Sequence, residues 1–231
     1  MANRRLQEKA RQARNDLYRE HILDAAEQVF AERGFESAKL QDISRLAGVS
    51  MGTIYSIFPC KEELFRAILD ARGRELLEVA RAGARSHDDP CIALDRLIEE
   101  YIDYFIAHPN FLRMHLRLGT SWVLGPATGS PGQVQLWAEI HALQADLMQR
   151  GVAAGAFHDE DPAFLAKVFS ALDQVLLADW VAGGMQADRA ALLERMRALV
   201  GRAIERKSPG GAAARPTTSP PMGSAANRRR R

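Results

Sequence analysis

Apolar residues recur with a helical period wherever this chain has enough of them to build a core. The first such run places Ile22, Ala25, Ala26, Val29 and Phe30 at positions i, i+3, i+4, i+7 and i+8, on one face of a helix. No segment alternates apolar and polar residues with period two in a stretch rich in β-branched residues, so no sheet is expected. The pattern predicts an all-α fold.

Glycines and prolines divide this pattern into separate helices. Gly34 ends the first run, Gly48 ends a short segment that starts near Leu40, and Pro59 follows a third segment, residues 50–57. The remaining predicted helices are mostly longer and span residues 61–85, 92–108, 109–121, 133–154, 162–182 and 188–206. A unit of three short helices is therefore expected in front of a larger helical body.

Basic residues are concentrated at the two ends of the chain. Residues 1–19 hold six basic and two acidic side chains (net +4), residues 71–206 hold 14 and 18 (net −4), and residues 207–231 hold six and none (net +6). Cationic ends attract polyanions such as nucleic acid, although a basic tail can also serve only to stay solvated. Residues 1–15 are predicted to be a basic flexible arm that can extend the first helix, and residues 208–231 a disordered basic tail.

Cysteine content and hydropathy indicate a cytoplasmic protein. Cys60 and Cys91 are too few for a disulfide framework and are typical of a reducing compartment. The N-terminus is polar and rich in Arg, unlike a secretory signal. No apolar run approaches the ~18 residues of a membrane span, so no membrane segment is expected.

The second and third short helices have the spacing of a helix-turn-helix. A turn of three or four residues joins them, and its Gly48 can adopt the left-handed backbone that such a turn requires. Val49 is expected to fill the angle between the two helices. Ser50 is a good N-cap for the second of them.

The helix after this turn has small and polar residues where a buried helix would be apolar. Gly52 permits close approach to a DNA backbone, and the hydroxyl groups of Thr53, Tyr55 and Ser56 can donate to phosphates or meet base edges. Lys61 begins the next helix, where its ammonium group and the helix amino end can hold a phosphate. The alternative that the spacing leaves open is a three-helix packing unit with a polar surface.

A dense series of short motifs runs through this region: Ile22-Leu23-Asp24-Ala25-Ala26, Phe30, Gly34-Phe35, Asp42-Ile43, Ala47-Gly48-Val49-Ser50, Gly52-Thr53-Ile54-Tyr55, Phe58-Pro59 and Lys61-Glu62-Glu63-Leu64. The series covers about a fifth of the chain and resembles the TetR/AcrR family of bacterial regulators. The resemblance implies that residues 50–57 are the recognition helix, that Thr53 and Tyr55 face phosphates or nearby bases, and that Lys61 holds a backbone phosphate. It also implies a homodimer in which the last two long helices of each subunit form a four-helix interface.

Three positions depart from the family pattern. Lys39 stands where a Ser or Thr usually caps the first helix of the motif, which removes a cap worth about 1 kcal/mol but offers an ammonium group to a phosphate. Ile57 replaces a His or Tyr and so removes one backbone contact. Cys60 replaces a capping residue beside Lys61, a place that favours a reactive thiolate and makes redox control an alternative. The predicted DNA contacts are Lys39, Ser50, Met51, Gly52, Thr53, Tyr55, Ser56 and Lys61.

Aromatic and histidine side chains cluster in the predicted helices of the body. The resemblance implies a small-molecule pocket there, mainly apolar with a few polar contacts. The candidate lining residues are Tyr101, Tyr104, Phe105, His108, Phe111, His115, Trp122, Trp137 and His141. The alternative is that these side chains are ordinary core. The three histidines match no metal-ligand spacing, so no metal ion or cofactor is expected, and the expected ligand is small and apolar or amphipathic.

The last two predicted helices carry apolar stripes that one subunit is not expected to bury completely. The candidate dimer-interface residues are Phe164, Val168, Leu172, Val175, Trp180, Leu192, Met196 and Leu199. A homodimer interface is the favoured interpretation, and an internal helix pair is the alternative.

Residues 16–66 are thus predicted to be a helix-turn-helix DNA-binding domain, and residues 67–207 an effector-binding and dimerisation domain. The predicted function is a ligand-responsive transcriptional repressor that binds double-stranded operator DNA as a dimer, with the helix from Lys61 carrying the ligand signal. Alternatives are a DNA-binding regulator controlled by a protein partner or by redox chemistry, and an all-α enzyme. The sequence has no nucleophile elbow, phosphate loop or metal-ligand pattern, so an enzyme is not expected.

Overall fold

The computed structural model describes residues 2–119, 121–125 and 130–206, and these fold into nine α-helices. They are α1 (Ala2–Ser37), α2 (Leu40–Ala47), α3 (Met51–Ile57), α4 (Lys61–Ala84), α5 (Pro90–Ala107), α6 (Pro109–Arg117), α7 (Pro131–Ala153), α8 (Pro162–Ala182) and α9 (Arg189–Ala203). The β-structure in these ranges is limited to isolated bridges between Ser121 and Gly125 and between Phe157 and Glu205. The all-α prediction is confirmed. The predicted tail, residues 208–231, lies outside the described residues.

Helix α1 contains the predicted arm as well as the first helix of the three-helix unit. It begins at Ala2 and bends at Gly34, whose φ of 76° lies in the left-handed region that glycine adopts without steric cost. The described side chains of residues 5–14 are exposed, because this stretch has no apolar face to bury. The structure therefore shows residues 2–15 as helix, and the domain boundary at residues 15–16 stays a prediction.

Helices α1, α2 and α3 share one small core with the beginning of α4. Ile22 and Phe30 of α1, Ile43 of α2, Ile54 of α3 and Leu64 of α4 are fully buried. These are apolar positions of the helical pattern in the sequence, so the three-helix unit, called the head below, forms as that pattern indicates.

Helix α5 is the most buried helix of the body, which comprises most of α4 together with α5 to α9. It packs against α4, α7 and α9 through a face that repeats with helical spacing. Gly83 of α4 allows the two backbones to meet closely, since a Cβ atom there would lie 2.6 Å from the Cα atom of Leu97.

Two contacts join the head to the body: an ion pair from α4 to α1, and the packing of α6 along α1. Arg72 of α4 donates from Nε to a carboxylate oxygen of the buried Glu27 in α1 (2.7 Å), and from Nη1 to Glu75 (2.9 Å). Helix α6 packs along α1, and Arg117 Nη1 donates to the carbonyl oxygen of Glu32 (3.2 Å). Because α4 itself runs from the head into the body, three separate links fix their relative position.

None of the described helices combines the length and the apolar character that crossing a lipid bilayer requires.

Replacing Gly83 with Ala should destabilise the body. The new methyl group would press on the backbone of Leu97, which no side-chain rotation can relieve, so we expect a loss of about 1–3 kcal/mol in the free energy of unfolding. Urea denaturation measures it. The matched control is Gly132→Ala in α7, where the new Cβ atom would meet only Ser130 Oγ at 3.8 Å. Equal stability of the two variants would contradict the close approach of α4 and α5.

Candidate nucleic-acid interface and ligand cavity

The turn between α2 and α3 has the geometry that the sequence predicts. Gly48 follows α2 with φ 67°, and its N–H donates to the carbonyl oxygens of the last turn of the helix. The Ser44 hydroxyl donates to the carbonyl oxygen of Val49 (2.6 Å), which holds the turn against α2. The two helices therefore form a helix-turn-helix.

Ser50 is the N-cap of α3, as predicted. Its Oγ atom accepts from the backbone N–H of Thr53 (3.1 Å) and lies 2.9 Å from Thr53 Oγ1. The Ser56 hydroxyl donates to the carbonyl oxygen of Thr53 (2.7 Å), which leaves its oxygen free to accept a bond. Two of the predicted hydroxyl contacts thus also stabilise the helix itself.

One face of α3 is available to a partner. Ile54 is fully buried, Tyr55 is 52% exposed, and Gly52 and Ser56 are exposed, while Met51 and Thr53 are half-buried. A Cβ atom at Gly52 would meet only Ser50 Oγ, at 3.7 Å, and the backbone there is not left-handed. Neither internal packing nor backbone conformation therefore requires a glycine at this position.

Lys39 and Lys61, the two predicted phosphate ligands, have different surroundings. Lys39 is exposed at the N-cap of α2 and makes no capping bond. Lys61 Nζ donates to the carbonyl oxygens of Phe35 (2.7 Å), Glu36 (3.3 Å) and Ala38 (3.4 Å), and lies 4.4 Å from the centre of the Phe35 ring. The ammonium group thus stabilises the C-terminal end of α1, and its contact with a phosphate stays a prediction.

Sequence reasoning did not select Arg45 of α2, a second exposed cation of that helix-turn-helix. Its side chain is 79% exposed and reaches Asp42 at 3.4 Å. Its place between the apolar positions Ile43 and Ala47 was the available signal. Cys60 is half-buried at the N-cap of α4 and forms no disulfide, so redox control stays a prediction.

The body encloses a cavity of about 150 Å³ between α4, α5, α6, α7, α8 and the segment 121–125. Seven of the nine predicted pocket residues line it: Tyr101, Phe105, Phe111, His115, Trp122, Trp137 and His141. Helix α4 contributes Leu69, Gly73 and Leu76, which sequence reasoning did not select.

Tyr104 and His108 lie outside the cavity. Tyr104 is next to Phe105 along α5, so its side chain points toward α4, where the hydroxyl donates to Glu75 (3.1 Å) and to the carbonyl oxygen of Arg72 (3.2 Å). His108 follows the end of α5 and packs on the Tyr104 ring, with centroids 4.6 Å apart. Both residues therefore belong to the junction with the head. In the described part of the chain, no three His, Cys, Asp or Glu side chains are grouped to hold a metal ion.

The polar groups of the cavity are the main feature that sequence reasoning missed. The Ser170 hydroxyl donates to Gln144 Oε1 (3.1 Å), and Gln144 Nε2 donates to the hydroxyl oxygen of Tyr101 (3.1 Å). Asp173 also lines the cavity, is 4% exposed, and has no hydrogen bond or ion pair with a described residue. Burial raises the pKa of Asp173 to about 7. An acidic residue at an inward position of the apolar helix α8 was the available signal.

Aromatic rings and neutral histidines form the rest of the wall. Phe105 and Trp122 stack with centroids 5.5 Å apart and an interplanar angle of 19°. Burial lowers the pKa of His115 to about 4, so this imidazole is neutral at pH 7. Its Nδ1 atom and Trp122 Nε1 are buried and have no hydrogen-bond partner in the part of the chain that the structure describes. Trp137 Nε1 (3.3 Å) and His141 Nε2 (2.8 Å) both bind the carbonyl oxygen of Trp122, which fixes this segment over the cavity.

The candidate dimer-interface residues fall into three groups. Leu192 and Met196 of α9 are buried inside the chain because α9 packs on α5 and α8, as in the internal-pair alternative. Phe164 and Val175 of α8 are 52% and 65% exposed. The other four, Val168, Leu172, Trp180 and Leu199, are half-buried.

The helix-turn-helix head and helical body define the class of DNA-binding regulators. The chain matches the family described as "Bacterial regulatory proteins, tetR family" over residues 22–68. It is 29% identical over 164 residues to the HTH-type transcriptional repressor NicS of Pseudomonas putida, which covers 69% of this chain and 74% of NicS. The chain is a transcriptional regulator.

Solved structures show the same fold. A putative transcriptional regulator from Saccharomonospora viridis in complex with choline has a TM-score of 0.66 and 22% identity, and covers 82% of this chain and 98% of that one. FadR from Bacillus subtilis in complex with stearoyl-CoA has a TM-score of 0.61 and 20% identity, and covers 78% and 96%.

Replacing Asp173 with Asn should remove a pH-dependent destabilisation. The pKa of Asp173 is about 7 in the folded state and about 3.9 in an unfolded chain, so stability is lost as the pH rises through that window. We expect Asp173→Asn to match the wild type near pH 4 and to be more stable by on the order of 2 kcal/mol at about pH 8. Urea denaturation at a series of pH values measures this.

His115 contributes an opposite slope between about pH 4 and 6.5 in both proteins, so the difference between them isolates Asp173. Burial, and then the charge of Asp173, raise the pKa of Tyr101 far above this range, and burial lowers the pKa of His141 in both proteins, so neither residue accounts for the difference. Asp179→Asn, on the exposed side of α8, is the matched control. A difference between wild type and Asp173→Asn that does not vary with pH would contradict the buried, unpaired carboxyl group.

Proposed function

We propose that this regulator is a repressor that acts in the cytoplasm, binds operator DNA as a homodimer through α3, and is released when a small molecule occupies the cavity. One observation carries the proposal: helices α4 and α6 both line the cavity and both contact the head. The named relative NicS, a transcriptional repressor, supports the direction of regulation.

The exposed face of α3 supports DNA binding. Its glycine at position 52 has no internal purpose, and its neighbours Tyr55 and Ser56 are exposed hydroxyl groups suited to phosphates and base edges. Lys39 and Arg45 of α2 add exposed positive charge beside it. A glycine that the protein itself does not need fits a surface that a DNA backbone approaches closely.

The ligand acts, in this proposal, by moving α4 and α6. Leu69 and Leu76 of α4 line the cavity about one turn before and one turn after Arg72, which holds Glu27 of α1. Phe111 and His115 of α6 face the same cavity, and Arg117 of α6 binds α1. A molecule that fits better when these helices shift would change the separation of the two recognition helices. Such coupling is typically worth about 1–3 kcal/mol, or roughly 5–150-fold in DNA affinity.

The cavity supports a small ligand that is mainly apolar. Its walls are aromatic and aliphatic, with few polar groups, and its volume of about 150 Å³ is that of a site for a benzene-sized molecule. Solved structures of the same fold include one in complex with choline and one in complex with stearoyl-CoA.

The homodimer is proposed to form through α8. Phe164, Val168, Leu172 and Val175 lie on one face of this helix and are exposed or half-buried, so a second copy could cover them. Leu199 of α9 is also half-buried and could contact the second copy. Leu192 and Met196 are buried within the chain, so they would hold α9 in place without touching the second copy.

Replacing Val175 with Glu should therefore produce a monomer, because a carboxylate would be buried without a partner. Light scattering at micromolar concentration measures the mass. Gln149→Glu places the same charge on an exposed position of α7 and should leave the dimer intact. A wild-type monomer, or a Val175→Glu dimer, would contradict the proposed interface.

Replacing Gly52 with Ala tests the DNA contact without disturbing the fold. We expect operator affinity to fall roughly tenfold or more, since about 1.4 kcal/mol is lost when a methyl group separates α3 from the backbone. The thermal midpoint should not fall, because alanine favours a helix. The measurement is fluorescence anisotropy on DNA upstream of the protein's own gene, or on a duplex selected from random DNA, across a salt series.

Gly132→Ala, far along the chain in α7, is the control for this experiment. Unchanged affinity of Gly52→Ala on a duplex that the wild type prefers over random DNA would place the DNA contact elsewhere.

A further inference from the structure

Asp173 is a buried acid with nothing in the described structure to balance it. It lies on the inward face of α8, is 4% exposed and lines the cavity. No described side chain or backbone group donates a hydrogen bond to it. Burying an ionised carboxyl group without a partner is costly, so such groups in proteins are normally paired. A molecule bound in the cavity is therefore the expected partner of Asp173.

The other residues that line the cavity also favour a positively charged ligand. Tyr101, Phe105, Trp122 and Trp137 contribute aromatic rings, whose faces carry negative potential and attract cations. The lining residues include no Lys or Arg, and His115 is neutral. A carboxyl group and several aromatic rings in the lining of one cavity, with no Lys or Arg among the lining residues, are the groups that bind organic ammonium ions.

We propose that the cavity is a site for a small organic cation, a quaternary or protonated amine with apolar substituents, and that Asp173 is its counter-ion. This inference rests on the proposed function, because it names the chemical class of the molecule that occupies the regulatory cavity. The aromatic rings contact the substituents on the nitrogen, and Asp173 supplies the balancing charge.

Other ligand classes fit these groups less well. An anionic ligand such as a carboxylate would meet Asp173 with no positive side chain to offset the repulsion. A neutral apolar ligand would leave the carboxyl group buried and still unpaired. A cation satisfies Asp173 and the aromatic faces together.

The polar chain Ser170–Gln144–Tyr101 fixes part of the wall. Because the Tyr101 hydroxyl oxygen accepts from Gln144, its own hydrogen remains available to an acceptor. Trp122 Nε1 is a second buried donor, and no described residue accepts from it. These donors could bind one acceptor atom of the cation, such as a hydroxyl oxygen, while Asp173 binds its charged nitrogen.

The test is isothermal titration calorimetry on the full-length protein without DNA, at about pH 8, where Asp173 is ionised. The two probes are choline and its uncharged carbon isostere, 3,3-dimethylbutan-1-ol, which have nearly the same shape and differ in the charge. We expect choline to bind at least tenfold more tightly to the wild type, and Asp173→Asn to lose this preference. Asp179→Asn, an exposed aspartate on the same helix, should keep it.

A second readout uses pH. Because the pKa of Asp173 is about 7, choline affinity should rise from about pH 6 to 8 in the wild type and stay constant in Asp173→Asn. Asp173→Asn is expected to be at least as stable as the wild type at pH 8, so loss of binding cannot be attributed to unfolding, and its thermal midpoint checks this.

Equal affinity for the two probes, no choline binding at millimolar concentration, or a preference that survives in Asp173→Asn would each overturn the cation site. Operator anisotropy with and without choline separates this from the proposed function. Choline binding that leaves DNA affinity unchanged contradicts release by the cavity ligand but keeps the cation site. Release of DNA by a neutral or anionic compound, with no choline binding, keeps the function and overturns the cation site.

Discussion

The ion pair between Arg72 and Glu27 is the interaction on which the relation between head and body depends. Glu27 lies on the buried side of α1. Arg72, which binds it, is in the turn of α4 whose residues Leu69 and Gly73 line the cavity. Tyr104 extends the same contact to α5 through Glu75. Since a buried ion pair is sensitive to small displacements of either partner, the proposed shift of α4 at the cavity would be transmitted through this pair to the first helix of the head.

The cavity contains buried polar groups that a core built only for stability would lack. Asp173, His115 Nδ1 and Trp122 Nε1 are buried polar groups without a hydrogen-bond partner among the described residues, an arrangement that generally costs stability. A core built only for stability would carry apolar residues at these places. Their presence in one cavity, beside helices that contact the head, indicates a site kept open for a ligand that satisfies them.

The sequence predicted those features that follow from local rules. Helical spacing gave the helices, Gly48 and Ser50 gave the turn and its cap, and seven aromatic or histidine residues of the cavity followed from their clustering. The rest depends on which face each helix turns inward. Tyr104 is one residue from Phe105 but lies on another face of α5, away from the cavity. Met196 is buried within the chain, where α9 packs on α5 and α8. The groups that bind Lys61 are carbonyl oxygens 23 to 26 residues earlier in the chain, which local spacing does not reveal. Asp173 was missed because a single acid in an apolar helix gains its meaning only from the cavity around it.

The central claim is that occupancy of the cavity controls the head. The most direct measurement is the operator affinity of Ser170→Leu, which fills the cavity from α8 without changing α4, α6 or the head. The account predicts DNA affinity at least fivefold weaker than that of the wild type, with the fold and the dimer retained. The thermal midpoint should fall moderately, because the buried hydrogen bond from Ser170 to Gln144 is lost. Unchanged DNA affinity in a folded, dimeric Ser170→Leu protein would contradict the central claim.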